Sequence, residues 1–172
     1  MTTQNSDWMT NHLASPTVKN DVGVAGGRMR VIADSFACTG TSIDATGDII
    51  RLCRLPERVR IYEIYLNWED FGTTLTAELG LYDKDGNALD SDAYSTSLTL
   101  SSTATTLTTW YNYRFDGGAQ GNIGDMGQMV YEDAGQSVGT YEVMDLCLTM
   151  LATPSTITDG QIIDFMVKYV ED

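Results

Sequence analysis

Three stretches of the sequence carry an apolar side chain at every second position, and this spacing constrains the fold more than any other feature. The apolar sets are Leu75, Ala77, Leu79 and Leu81; Met144, Leu146, Leu148 and Met150; and Ile163, Phe165, Val167 and Tyr169. Successive side chains of a β-strand point to opposite faces of its sheet. Each stretch therefore predicts a strand with one face buried in a core.

Further strands are predicted from the sequence at residues 28–37, 48–55, 58–68 and 110–116. Between many of the strands lie short segments rich in Gly and Asp, and Asp83–Gly86 is a hairpin turn signal. Many short strands with almost no helix are typical of a sandwich or barrel. The prediction is an all-β protein, with a single antiparallel β-sandwich of jelly-roll type over residues 28–172.

Two local segments refine this prediction. Pro154–Gly160 is rich in turn-forming residues and lies between the last two strands, so these strands are predicted to pair as a hairpin. The one helix candidate lies around Gln128–Ala134 and ends at Gly135. The sandwich should therefore contain at most one short helix.

Residues 1–27 are polar and interrupted by glycines, and they show no sustained hydrophobic period. We predict that they form an extended N-terminal arm rather than part of the core. Such an arm is ordered only when it is held by its own domain or by a neighbouring chain. Trp8 and Met9 are its candidate contacts, since aromatic residues are frequent hot spots of interfaces.

Charge is distributed unevenly along the chain. The formal net charge is −14, yet six of the ten Lys and Arg residues lie between Arg28 and Arg60. After Glu63 the basic residues are Lys84, Arg114 and Lys168. Each phosphate that a protein neutralises needs a Lys or Arg, so this acidic body argues against nucleic acid as a partner.

The arginines of this segment are candidate contacts with a protein partner. They are Arg28, Arg30, Arg51, Arg54, Arg58 and Arg60. Strand parity predicts that Arg58 and Arg60 share a face. Two interpretations stay open: the arginines are solvated and pair with the chain's own surplus acids, or they form a basic edge that docks against an acidic neighbour.

A strip without charge runs from Ala93 to Tyr113, and 11 of its 15 positions from Ser95 to Thr109 are Ser or Thr. One interpretation is a solvated edge strand followed by a loop. The other is a subunit contact, because uncharged strands can pair edge to edge without burying an ion. The side chains expected at such a contact are Leu98, Leu100, Thr105 and Leu107.

The inventory of reactive residues argues against an enzyme. His12 is the sole histidine and lies on the predicted arm, although a catalytic triad or a zinc site would depend on it. The adjacent acids at 69–70 and at 132–133 would point to opposite faces of a strand rather than converge on a substrate. We therefore expect no catalytic residues and no cofactor.

The acidic turn at residues 83–87 is the one candidate for a metal ion. Asp83, Asp85 and Asn87 begin like a calcium loop, but the glycine comes at the fourth position, and Tyr94 occupies the place of the twelfth-position glutamate. The turn is therefore either an irregular oxygen site for a cation or an ordinary acidic hairpin turn, and both interpretations stay open.

The cysteines and the apolar runs indicate the cellular compartment of the protein. Cys38, Cys53 and Cys147 are odd in number and widely spaced, which is typical of reduced thiols in a protein made in a cytoplasm. No apolar run approaches the roughly 20 residues of a membrane span, and the first residues lack the features of a secretion signal. We expect no membrane partner.

Several motifs together resemble a family of small virion proteins of tailed phages. The pattern begins with Gly47–Pro56 (GDIIRLCRLP) and continues through Leu66–Gly72 (LNWEDFG) and Thr73–Gly80 (TTLTAELG). Gly127–Gly135 is similar to that family's short helix, and Asp159–Tyr169 to its last strand. The chain departs from the pattern at residues 57–58, where Glu-Arg replaces the usual Lys-Gly.

The resemblance implies a β-sandwich on the outside of a phage capsid, made in the host cytoplasm and acting as a cement or decoration protein. Its partners would be the major capsid protein and further copies of itself, as a homotrimer with arms that reach its neighbours. Alternatives are a head-fibre base, a tail component, or a carbohydrate-binding sandwich. The last would need an exposed aromatic platform, for which the candidates are Trp68, Trp110, Tyr111 and Tyr113.

Overall fold

The computed structural model describes residues 14–16, 28–39, 43, 45–71, 75–100, 111–112, 128–152 and 158–171, which form eight strands and one short helix. The strands are β1 (Arg28–Ala37), β2 (Ile49–Pro56), β3 (Val59–Trp68), β4 (Thr76–Tyr82), β5 (Ala88–Thr99), β6 (Tyr111–Asn112), β7 (Val143–Met150) and β8 (Ile162–Glu171). The helix α1 spans Val130–Asp133. Of the predicted arm, only residues 14–16 are described, so its conformation and the boundary at residue 27 stay predictions.

The strands form two antiparallel sheets of four. The first sheet has the order β1-β8-β3-β6, and the second sheet has the order β2-β7-β4-β5. Chain neighbours are thus divided between two stacked sheets, in the strand order of a jelly roll. The predicted all-β sandwich is confirmed, and α1 lies within the segment predicted to be helical.

The predicted hairpin between the last two strands is wrong. β7 pairs with β2 and β4 in the second sheet, whereas β8 pairs with β1 and β3 in the first. The chain therefore crosses from one sheet to the other between residues 150 and 162. Both inner faces bury the same kind of side chain, so period-two alternation does not indicate to which sheet a strand belongs.

The core lies between the inner faces of the two sheets and contains the apolar sets that the alternation predicts. Leu98 and Leu100 also belong to it, because both side chains are buried within the chain itself. These two leucines therefore do not form the predicted contact between subunits. Packing in the chain's own core already removes their apolar side chains from water. Thr105 and Leu107 lie outside the described residues.

β5 departs from regular pairing where it passes Gly80 of β4. Leu79 pairs with Ser95, but Leu81 pairs with Asp90, so residues 91–94 form a bulge opposite a single residue of β4. A Cβ atom on Gly80 would lie 2.2 Å from the carbonyl oxygen of Asp90. Glycine is therefore required where the two backbones approach.

The bulge connects β5 to the helix. Tyr94 lies within it, is buried, and donates a hydrogen bond of 2.7 Å from its hydroxyl to Oδ2 of Asp133 in α1. The backbone N–H of Tyr131 in α1 also donates to the carbonyl of Glu57, in the turn between β2 and β3, at 3.2 Å. A helix this short gains little stability from its own hydrogen bonds, so these contacts hold it in place.

One end of the sandwich brings together the start of β1 and the end of β8. Arg28 of β1 lies opposite Glu171 of β8, and Glu171 in turn lies opposite Val59 of β3. The turn at residues 57–58, which joins the two sheets, and α1 lie at this same end. We call it the turn end.

Candidate functional site

The six candidate arginines lie on three strands and one turn. Arg28 and Arg30 lie on β1, Arg51 and Arg54 on β2, Arg58 in the turn between β2 and β3, and Arg60 on β3. Trp8 and Met9, the candidate contacts of the arm, lie outside the described residues. The structure therefore does not bring the arginines together into a single basic patch.

Arg51 and Arg54 lie beside a buried aspartate of their own chain. Asp145 of β7 lies opposite Arg54, and its side chain is only 4% exposed. Arg54 donates to both of its carboxylate oxygens at 2.6 and 2.9 Å, and Arg51 approaches it at 3.4 Å. The hydrogen bonds to Asp145 raise the pKa of Arg54. Bidentate contacts of this kind are strong and directional, so they fix both side chains on the outer face of the second sheet.

Other arginines also have acidic partners within the chain. Nε of Arg30 lies 2.5 Å from Glu171, and Nε of Arg58 lies 3.3 Å from Glu57. Glu57 is itself held by the backbone N–H of Gly139, which donates to both of its carboxylate oxygens. For these arginines the structure favours the first of the two interpretations, pairing with the chain's own acids.

Arg58 and Arg60 differ in their exposure to solvent. β3 begins at Val59, so Arg58 belongs to the turn and its side chain is 67% exposed. Arg60 lies on the strand and is only 4% exposed. Because Arg58 precedes the strand, strand parity does not decide its face, and the shared face stays a prediction.

A pocket of about 350 Å³ opens at the turn end. It is lined by Pro56, Arg58, Val59, Met129 and Glu171. The lining combines three apolar residues with an arginine and a glutamate, so the pocket does not present one sign of charge. A second pocket, of about 240 Å³, lies between the turn at residues 83–85 and residues 140–143.

The acidic turn at residues 83–87 uses its carboxylate for its own backbone. Oδ1 of Asp83 accepts hydrogen bonds from the N–H groups of Asp85 and Asn87, and Oδ2 accepts one from the Asn87 side chain. The bond from the Asn87 side chain is the largest cause that lowers the pKa of Asp83. Nζ of Lys84 lies 3.0 Å from Asp85. This geometry is that of an ordinary Asx-type hairpin turn. The ammonium group of Lys84 lies beside the carboxylate oxygens of Asp85, which a bound cation would need as ligands.

Two thiols lie side by side on the second sheet. Cys53 of β2 pairs with Leu146, and Cys147 is the next residue along β7. Burial is the main cause that raises the pKa of both thiols to about 12, and for Cys53 the nearby Cys147 adds to the effect. Both cysteines are free. Because only the thiolate is nucleophilic, these positions should be inert in the folded protein.

We expect both thiols to react about 1,000-fold more slowly in the folded protein than in urea, with a maleimide or an aromatic disulfide as the reagent at pH 8. The reason is that a rise in pKa from about 9 to about 12 lowers the thiolate fraction by that factor. Labelling followed by peptide mass spectrometry gives the rate at each position. Equal rates for Cys53 in the two states would contradict the burial described here.

The aromatic platform expected of a carbohydrate-binding module is missing one of its members. Trp68 is a core residue at the end of β3, so its ring is not available for stacking on a sugar. Tyr111 lies in β6, while Trp110 and Tyr113 lie outside the described residues. The sequence alone does not indicate whether Trp68 is buried or exposed, because this tryptophan is flanked by both apolar and acidic residues.

Within the described ranges, no three His, Cys, Asp or Glu side chains are grouped closely enough to hold a metal ion. The same part of the chain contains no helix that is long and apolar enough to cross a membrane.

The fold is similar to that of two chains from solved phage particles. The first, from the "Capsid of Ralstonia phage GP4", matches with a TM-score of 0.52 at 19% sequence identity, over 83% of this chain and 85% of that chain. The second, from the "Cyanophage Pam1 capsid asymmetric unit", matches with a TM-score of 0.52 at 20% identity, over 99% of this chain and 100% of that one. At this identity the likeness concerns the fold.

No protein-family model and no curated protein matches the chain in sequence.

Proposed function

We propose that this protein is a structural, non-enzymatic component of a tailed-phage virion, which binds the outer surface of the capsid shell and stabilises it as a cement protein. One observation carries the proposal: the chain aligns from end to end with a chain of similar length in a phage capsid. A match over the whole of both chains is what two proteins of the same architecture would give, rather than one shared module.

The charge of the chain supports a position on the exterior. A net charge of −14 repels packaged nucleic acid, so the interior of a filled shell is an unfavourable environment. On the outside, many symmetry-related copies each add a modest contact with the major capsid protein. Such contacts combine by multivalency, provided that each buries roughly 1,000 Å² or more.

The proposed contacts with the shell are the arm, through Trp8 and Met9, and the exposed arginines of the turn end, Arg28, Arg30 and Arg58. The arginines paired with Asp145 lie on the outer face of the second sheet, and like Arg30 and Arg58 they already have an acidic partner within the chain. A homotrimer over the shell remains part of the proposal, with Thr105 and Leu107 as candidate contacts between copies.

We expect the purified protein to co-sediment with assembled shells of its own phage and to saturate at a fixed ratio to the major capsid protein. Deleting residues 1–17 should reduce binding to the level of a shell-free control, while the far-ultraviolet circular dichroism keeps its β-sheet form. Cryo-electron microscopy of decorated shells would place the density. Unchanged binding by the truncated chain would remove the arm from the proposal.

The number of copies per particle separates the alternatives. A cement protein occupies every equivalent site of the shell, whereas a head-fibre base or a tail component is present in a few copies at special positions. Quantitative gel densitometry of purified virions measures this number. A few copies per particle, or no sedimentation with shells, would contradict the cement role.

A further inference from the structure

β1 is a regular strand at the edge of the first sheet. It pairs with β8 without a break from Arg28 to Ala37, and no bulge, glycine or proline interrupts it. In the described part of the first sheet no strand lies beyond it. A long and regular edge presents backbone N–H and C=O groups that can pair with a further strand.

One of the two edges of the second sheet has a different character. β5 is the terminal strand there, but the bulge at residues 91–94 breaks its register. It also carries two acids, Asp90 and Asp92, and no base. Bulges and charges of one sign are the devices by which proteins prevent edge pairing, so β5 is protected where β1 is not.

The outer face of β1 carries exposed apolar side chains. Met29 is 60% exposed and Val31 is 54% exposed. They lie opposite Val170 and Lys168 of β8, on the face turned away from the core. These two side chains form a small exposed apolar patch at the edge of the sheet.

The charges of β1 are complementary to those of a second β1 strand. The strand contains two arginines and one aspartate in a chain of net charge −14, so it is one place where two copies can approach without repulsion. Arg30 pairs with Glu171 of its own chain, and if two β1 strands run antiparallel about Ile32, it also lies opposite Asp34 of the other copy. The same register places Val31 opposite Ala33 and overlaps residues 28–36 of both strands.

We propose that β1 is a self-pairing edge, through which two copies of this chain join into one continuous sheet. Opposed residues of an antiparallel pair share a face, so both cores lie on one side of the joined sheet and both pairs of Met29 and Val31 lie on the other. The contact is two-fold symmetric and closes at two copies. It therefore does not build a trimer, but it would join one trimer to the next.

The test measures association of the full chain in solution, without shells, by sedimentation equilibrium. If the protein is a monomer, we expect it to form reversible dimers. If it is a trimer, we expect the trimers to associate in pairs. Asp34→Arg should raise the dissociation constant about tenfold or more, because it replaces two Arg–Asp pairs with like charges. Arg30→Asp should do the same, and an equimolar mixture of the two variants should associate again, since each supplies the charge that the other lacks.

Asp92→Arg is the matched control, because it makes the same change in net charge at the protected edge of β5. It should leave the dissociation constant of the pair unchanged, and circular dichroism should show that all three variants are folded. The proposal is overturned if the wild-type chain does not pair at millimolar concentration, or if Asp34→Arg and Asp92→Arg have equal effects. Shell binding is measured separately, so failure here leaves the proposed function intact.

Discussion

Gly80→Ala is expected to lower the free energy of unfolding by about 3 kcal/mol or more, at the upper end of the range for overpacked positions. The added methyl group would lie 2.2 Å from the carbonyl oxygen of Asp90 and 2.2 Å from the carbonyl carbon of Ser91. Both are backbone atoms, so they cannot rotate away as the end of a flexible side chain could. The β5 bulge must move instead.

Displacing the bulge has consequences beyond β5. Tyr94 within the bulge holds Asp133 of α1, so the substitution should also loosen the helix at the turn end. Urea unfolding followed by tryptophan fluorescence gives the free energy, and near-ultraviolet circular dichroism reports on the packing of aromatic side chains.

Gly160→Ala is the matched control for this substitution. Gly160 has a φ of +91° but no atom within 4 Å of its Cβ position, so alanine there suffers only the backbone strain of about 1–2 kcal/mol. If Gly80→Ala costs no more than Gly160→Ala, then β5 does not pass over Gly80 as closely as described.

Leu100→Ala is expected to cost about 2–5 kcal/mol of stability, because it deletes a fully buried side chain and leaves a cavity. The backbone N–H of Leu100 donates to the carbonyl of Leu75, and its carbonyl accepts from Phe71, so the chain on either side cannot easily close the space. The free energy is again measured by urea unfolding.

This variant also distinguishes a core residue from a subunit contact. Ser97→Ala, at an exposed position of β5 shortly before Leu100, should change stability by less than about 0.5 kcal/mol. A contact between copies would give the opposite pattern for Leu100→Ala: normal stability of the single chain, with a loss of self-association in sedimentation. That outcome would restore the prediction made from the uncharged strip.

The positions of the strands could be predicted from the sequence because burial on one face imposes its own spacing. The alternation at Leu75, Leu79 and Leu81 indicates both the strand and the face that packs inward. It does not indicate pairing, which depends on contacts between residues far apart in the chain. β7 and β8 therefore look like a hairpin in the sequence, although they belong to different sheets.

The partners of the arginines could not be predicted for the same reason. Asp145 lies 91 residues from Arg54, and nothing in the spacing of either segment indicates that the two will be opposite each other. The bulge at residues 91–94 was also missed, although the glycine at position 80, within a regular strand pattern, is the signal that could have indicated it. The arm and the candidate residues Thr105 and Leu107 lie outside the described residues and stay predictions.

The neighbouring positions of β1 and β8 have a practical consequence for engineering. Arg28 opens the first strand and Glu171 closes the last, and the two face each other across one pair of strands. A peptide tag fused after β8 would emerge beside the start of β1. Cargo attached there would compete for space with any partner bound at the turn end, whereas a tag inserted at the exposed turn of residues 45–47, at the opposite end of the sandwich, would be displayed without that interference.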